Sequence, residues 1–251
     1  MKKILSGLIV LILFGSSAAY SQKLTAKQIV EKADNLQRGE SNYGIISMTI
    51  IRPKWKRTIQ MKNWSKGRDY ALTYIMAPAK DKGQVFLKQK NEMWNWVPSI
   101  NRIIKIPPSM MGQGWMGSDY TNDDILKESS IVVDYNHKII GSEKIDNIDC
   151  YKIELMPKEE AAVVWGKVIK WISKTEFWQL KTEYFDEDNE LIRTEIATTV
   201  KQFDDRKLPS HVEIIPADKP GNKTVLDIIN SKFDIKLDDG FFSQQNMKRI
   251  H

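Results

Sequence analysis

The sequence is poor in the residues that build most catalytic and metal centres. Its 251 residues hold one cysteine, Cys150, and three widely spaced histidines, His137, His211 and His251. A lone cysteine excludes an intramolecular disulfide and any multi-cysteine zinc site. The histidines offer no cluster for a metal or a triad. Nucleophile-elbow, zincin and phosphate-loop patterns are missing, and Gly112, Gly114 and Gly117 do not form one. The expectation is therefore no catalytic residue, no metal and no cofactor, and a protein that is not an enzyme. Long hydrophobic runs are missing too. The apolar stretch 4–14 has about half of the ~20 residues that a spanning helix needs. It follows Lys2 and Lys3 and leads into Ala19-Tyr20-Ser21, the pattern of a cleavable export signal cut before Gln22. No cysteine lies at the cut, so the mature chain is expected to be soluble, exported and not lipidated. The expected division is a signal peptide over 1–21 and one domain over 22–251. The formal charge falls from +6 to +4 when the leader with its two lysines is removed. That mild basic bias allows transient contact with an anionic membrane surface and does not argue for nucleic acid.

What is present is a large apolar mass, 41% of residues, with 10% aromatic and 28% charged. This is enough for a real core and excludes a disordered or collagen-like chain. Residues 24–38 carry a helical apolar stripe, with Thr25 and Gln28 spaced as a capping box and Gly39 as the stop. The period then changes to two. Strand-like segments follow near 43–52, 57–65, 69–77, 84–90, 92–97 and 102–106. After a break they resume near 131–141, 148–156, 167–174, 177–186, 190–203, 210–216 and 224–236. Turn residues separate them at about ten-residue spacing, which means antiparallel meanders and not βαβ units. One large, strongly curved antiparallel sheet or open barrel with a few helices is the simplest architecture.

Seven of the nine methionines of the mature chain and five of its eight tryptophans lie between residues 48 and 116. Alternation places Ile46, Met48 and Ile50 on one face of their strand, and Met61, then Leu72, Tyr74 and Met76, on faces of theirs. Trp94 and Trp96 share another, with Ile104 beyond. Two readings are open: an ordinary packed core, or the wall of a cavity in which pliable Met repacks around apolar ligands. The break at 107–130 favours the cavity. Met110, Met111, Trp115 and Met116 are interleaved with Gly112, Gly114 and Gly117 after Pro107-Pro108, giving a long apolar loop that reads as a lid. Thr121 to Lys127 reads as a short helix whose first turn holds Asn122, Asp123 and Asp124. Those acids, with Asp119, are read as capping groups and not as a calcium loop. Arg52, Lys54, Lys56 and Arg57 flank Trp55, as a solvated hairpin tip or a contact for anionic headgroups.

The block Met93-Trp94-Asn95-Trp96-Val97-Pro98-Ser99, then Arg102 and Ile106, then Met116-Gly117-Ser118-Asp119-Tyr120-Thr121-Asn122-Asp123-Asp124-Ile125-Leu126 resembles the bacterial outer-membrane lipoprotein-sorting protein family. That family looks like a branch of the LolA/LolB-type superfamily. The N-terminal helix and the Asp238-Asp239-Gly240-Phe241-Phe242 ending fit as well. The resemblance implies a mainly β (α+β) fold: a half-open, strongly curved antiparallel barrel or sheet of about eleven strands. An N-terminal helix and short lid helices would cover an apolar cavity. It implies a LolA-like domain that carries acyl chains of lipoproteins or phospholipid through the periplasm, from an inner-membrane transporter to an outer-membrane acceptor. The alternative is a docking subunit of an RND-type lipid transporter that binds protein. In the carrier reading Ile46, Met48, Ile50, Met61, Leu72, Tyr74, Met76, Trp94, Trp96 and Ile104 line the cavity, and Met110, Met111, Trp115 and Met116 form the lid.

Overall fold

The first ordered turn is set by local chemistry. The Thr25 hydroxyl accepts from the Gln28 backbone N–H at 3.2 Å, and the Thr25 N–H donates to the Gln28 side-chain oxygen at 2.9 Å. This closes the capping box and starts helix α1, Ala26–Arg38. Gly39, at φ 66°, ends the helix as its N–H donates to the Asn35 carbonyl. The structure is a computed structural model that describes residues 23–127, 130–161 and 163–250. The expected signal peptide lies outside the described residues.

Thirteen strands follow: β1 (Ser41–Arg52), β2 (Trp55–Lys66), β3 (Tyr70–Ala77), β4 (Val85–Gln89), β5 (Glu92–Val97), β6 (Arg102–Lys105), β7 (Tyr135–Ile145), β8 (Ile148–Pro157), β9 (Lys167–Ser173), β10 (Gln179–Phe185), β11 (Leu191–Phe203), β12 (Arg206–Pro216) and β13 (Lys223–Phe233). They form one antiparallel sheet in the order β6-β5-β4-β3-β2-β1-β13-β12-β11-β10-β9-β8-β7. The sheet has thirteen strands where the resemblance implies about eleven; each alternating segment, the short β4 and β6 included, is a member of the ladder. Two short helices complete the described residues, α2 (Asn122–Lys127) and α3 (Gln244–Met247). No helix among the described residues is long and apolar enough to cross a membrane.

The sheet is two meanders, β1–β6 and β7–β13, joined where β1 pairs with β13. Residues from strands as distant as β3 and β9 line one cavity, so the sheet is curled. Register shifts at Ile45/Ile46, Gln60/Met61, Ile139/Gly141 and Tyr184/Phe185 supply bends. The curl does not close. The two edges, β6 and β7, are not paired with each other, yet they are consecutive in the chain. The segment joining them must therefore cross the opening.

α1 packs on the inner face of the β7–β9 end. Ile29, Val30 and Ala33 are buried against Val132, Tyr135, Ile153, Leu155, Val168 and Ile172. Strand β7 starts four residues later than the alternation suggests, because 130–132 form a 3-10 turn that tucks Val132 under α1. Cys150 is fully buried on the outer face with Ile169, Trp171 and Leu180, and burial pushes its thiol pKa up. The outer face of β3–β5 is covered by the C-terminal segment, where Phe242 and Met247 pack on Leu72, Leu87, Trp94 and Trp96.

Candidate functional site

The crossover between the edges lies on the inner face of the first meander. It contains 3-10 turns at Pro108–Met110 and Trp115–Gly117, then α2. The expected lid helices are thus two single turns and one six-residue helix. Three glycines within ten residues, and the positive φ of Met116 and Gly117, break the segment before a longer helix can form. Met110, Met111, Trp115 and Met116 pack on Met48, Ile50, Ile59, Met61, Ile75, Phe86, Met93 and Ile106. Phe86 and Trp115 meet edge to face at 5.2 Å. Flexible side chains thus meet flexible side chains across this contact, which allows repacking at small cost.

Polar groups hold the crossover down. Arg52 grips Asp119 in a two-pronged ion pair at 3.0 and 3.1 Å and donates to the Gly117 carbonyl at 3.1 Å. The Thr224 hydroxyl donates to Asp119 at 2.7 Å. Arg57 reaches the Met116 carbonyl and pairs with Asp81 at 2.6 Å. Deeper in, Arg193 on β11 pairs with Asp124 at 2.5 Å and Glu195 at 3.1 Å, and donates to the Asp119 carbonyl. Three rings surround its guanidinium: Tyr184 at 4.1 Å, Trp165 at 4.8 Å and Tyr120 at 5.1 Å. Asp124 also takes the Trp165 indole N–H and both the backbone N–H and the hydroxyl of Thr121. Burial alone would lower the Arg193 pKa, but Glu195 and Asp124 outweigh it and hold it up. Burial raises the Glu195 pKa against the pull of Arg193 and Lys170, and raises that of Tyr184.

Between these parts lies a cavity of about 350 Å³. Ile46, Met48, Met61, Leu226 and Ile228 give it an apolar wall on β1, β2 and β13, and Trp115 comes from the crossover. The wall formed by β9–β11 is polar, with Lys170, Thr182, Arg193 and Glu195. The Trp115 indole N–H is buried without a partner among the described residues.

The residues marked in the sequence as one cavity wall are divided between two faces. Ile46, Met48 and Met61 line the cavity; Ile50 lies beneath the crossover, fully buried. Leu72, Tyr74, Met76, Trp94 and Trp96 are on the opposite face, under the C-terminal segment. The cause is parity. The register shift at Gln60/Met61 pairs Met61 with Ile75, so Ile75, Thr73 and Ala71 face inward and their alternates face outward. Strand β5 follows, with Met93 inward and Trp94 outward. Ile104, on the edge strand β6, is 43% exposed and is not among the residues lining this cavity. Of the lid residues, Trp115 reaches the cavity, while Met110, Met111 and Met116 fill the contact beside it. Asp119 and Asp124 act through arginines, and among the described residues no group of three or more His, Cys, Asp or Glu is placed to hold a metal ion. Alternation does not point to the Arg193–Glu195 pair, because a charge on an alternating strand normally signals the solvent face.

The turn of the crossover has a checkable constraint. A Cβ on Gly114 would lie 2.5 Å from the Ser118 carbonyl oxygen, whereas one on Gly112 meets nothing within 4 Å. Gly114→Ala is expected to cost on the order of 1–3 kcal/mol, as overpacking against backbone does, and to expose 107–121 to limited proteolysis. Gly112→Ala should leave both the melting temperature and the cleavage pattern unchanged.

A family model described as "uncharacterized protein" matches residues 67–249, well over half of the chain. No curated protein matches. Among solved structures, a DUF1329 family protein from Desulfovibrio piger is 24% identical with a TM-score of 0.81, covering 88% of this chain and 97% of that one. A domain described as an outer membrane lipoprotein-sorting protein, from Vibrio parahaemolyticus, is 20% identical with a TM-score of 0.78, covering 89% and 98%. A LolA superfamily protein from Nitrosomonas europaea is 24% identical with a TM-score of 0.77, covering 89% and 100%. The chain belongs to the family whose model spans residues 67–249, and its fold is the one shared by the LolA superfamily and lipoprotein-sorting structures.

Proposed function

We propose that this protein is a non-catalytic periplasmic carrier that shelters acyl chains of lipoproteins or phospholipid in the cavity beneath the crossover. Its donor would be an inner-membrane transporter and its acceptor an outer-membrane receptor. The observation that carries the reading is the cavity itself: space left between a Met-rich wall and a crossover that holds Trp115 over it. A pliable methionine wall facing an interior cavity, with a few polar groups on the other side, suits an apolar occupant with a polar end. At ~30 Å³ for a group the size of water, 350 Å³ holds on the order of ten methylenes. Each sheltered methylene contributes about 0.8 kcal/mol, so such a chain segment gains roughly 8 kcal/mol over water. The unpartnered Trp115 indole N–H supports an ester-linked chain, because an ester carbonyl supplies the acceptor it lacks. The shared fold of proteins described as lipoprotein-sorting agrees with this reading.

Native mass spectrometry of the protein purified from a periplasm without detergent tests it. Additional masses matching phospholipid or acylated peptide are expected. A clean apo mass that persists after incubation with lipid and lipoprotein would reduce the cavity to a packing defect and leave the transporter-docking alternative.

A further inference from the structure

One end of the curled sheet carries an unusual concentration of charge and exposed apolar surface. Strand directions place the β1–β2, β3–β4, β5–β6 and β12–β13 turns at the same end. These turns touch one another. A Cβ on Gly221 would lie 3.4 Å from the Pro53 side chain, one on Gly83 would lie 3.3 Å from that of Pro98, and Arg57 pairs with Asp81. At their tips, Trp55 is 50% exposed and Ile100 is 55% exposed. Around them Lys54, Lys56, Lys80, Lys82 and Arg102 are exposed, and none has an ion-pair partner among the described residues. The acids of this rim are engaged: Asp81 with Arg57, Asp119 with Arg52, and Asp218 beside Lys219. At the same end of the second meander the sign reverses. Glu159, Glu160, Glu187, Asp188 and Glu190 are exposed there.

We infer that the basic rim of the first meander is a docking surface for anionic phospholipid, with Trp55 and Ile100 entering the headgroup layer. An indole with a polar N–H and an apolar body suits that layer, and unpaired lysines around it gain from the surface potential. The acidic turns of the second meander are repelled by the same surface, so the molecule lands in one orientation. In that orientation the membrane meets the part of the sheet that holds the crossover, since Arg52 and Arg57 join the docking hairpin to Gly117, Asp119 and Met116. The inference rests on the carrier reading for its purpose, and on the rim alone for its geometry.

Flotation with two vesicle types tests it, one of phosphatidylcholine alone and one containing phosphatidylglycerol as well. Binding is expected only to the second and should weaken as salt is raised. Each lysine near an anionic surface is worth about fivefold in partitioning, so Lys54→Gln with Lys56→Gln should lower it roughly twenty-five-fold. Trp55→Ala should lower it further at every salt concentration. Lys144→Gln with Lys201→Gln, the same charge change at the opposite end of the sheet, should leave it within twofold. Equal binding to both vesicles, no binding to either, or equal loss in the two double variants would overturn the inference. Native mass spectra of the same samples separate the two readings. Lipid retained without vesicle binding sinks the docking surface alone, and vesicle binding without any lipid mass sinks the carrier alone.

Discussion

Arg193→Met should destabilise the protein by about 3–5 kcal/mol, the usual cost of removing one partner from a buried charge network. Arg193 is 3% exposed and compensates two carboxylates, Asp124 and Glu195, that sit in the same cavity wall. Asp124 would keep the Trp165 and Thr121 bonds. Glu195 would lose its closest cation, and burial already raises its pKa. The linkage sign follows. A carboxyl whose folded pKa lies above its ordinary 4.5 contributes stability at low pH that is lost as pH rises through the folded value. Without Arg193 the folded pKa of Glu195 rises further, so the deficit of the variant should grow as pH rises through the native protein's folded value, which lies above 4.5. Denaturant unfolding at several pH values measures both the deficit and its slope. Adding Glu195→Leu should return part of the loss, because an apolar pair of similar volume removes the stranded charge. A deficit below ~1 kcal/mol would put the pair in the class of solvated surface contacts.

Ala197→Trp should abolish most lipid uptake without unfolding the sheet. Ala197 follows Arg193 and Glu195 on the inner face of β11 and lines the cavity opposite the methionine wall. An indole placed there occupies the space of roughly four methylenes, worth about 3 kcal/mol of acyl-chain affinity, or on the order of two-hundredfold. Displacement of a fluorescent fatty acid gives the affinity, and thermal unfolding shows whether the fold is kept. Trp96→Phe, on the outer face, should leave uptake within about twofold, since it changes only the packing against the C-terminal segment. Retained uptake in the Ala197 variant would move the binding site away from this cavity.

Much of the architecture is legible in the chain because its signals are local. Thr25 and Gln28 announce the helix start three residues apart, and Gly39 announces its end. Alternation and turn residues locate the segments that became the thirteen strands. The Met/Gly stretch stands out as the one long break. The faces were harder. Whether Leu72 or Ile75 looks inward depends on a register shift between β2 and β3, which is a property of two strands and not of either one. The second wall was hidden for a different reason. In Ile192-Arg193-Thr194-Glu195-Ile196 the charged positions face the cavity, the inverse of the usual apolar-in rule. Only the three rings and Asp124, brought from other segments, make that inversion tolerable.

The pairing of β1 with β13 bears on how the chain reaches this state. Each meander is built from neighbours in sequence, with short closing loops and fast local pairing. The seam sets Met48 opposite Leu226, so the sheet becomes continuous only by pairing between opposite ends of the chain. Such contacts carry the largest closure entropy and form late. Until β13 arrives, β1 is an unguarded edge of twelve residues rich in isoleucine, a template for pairing with another copy. The vulnerable period of this protein is therefore the interval between the emergence of its first strand and its last, and any chain ended before Lys223 would remain in it.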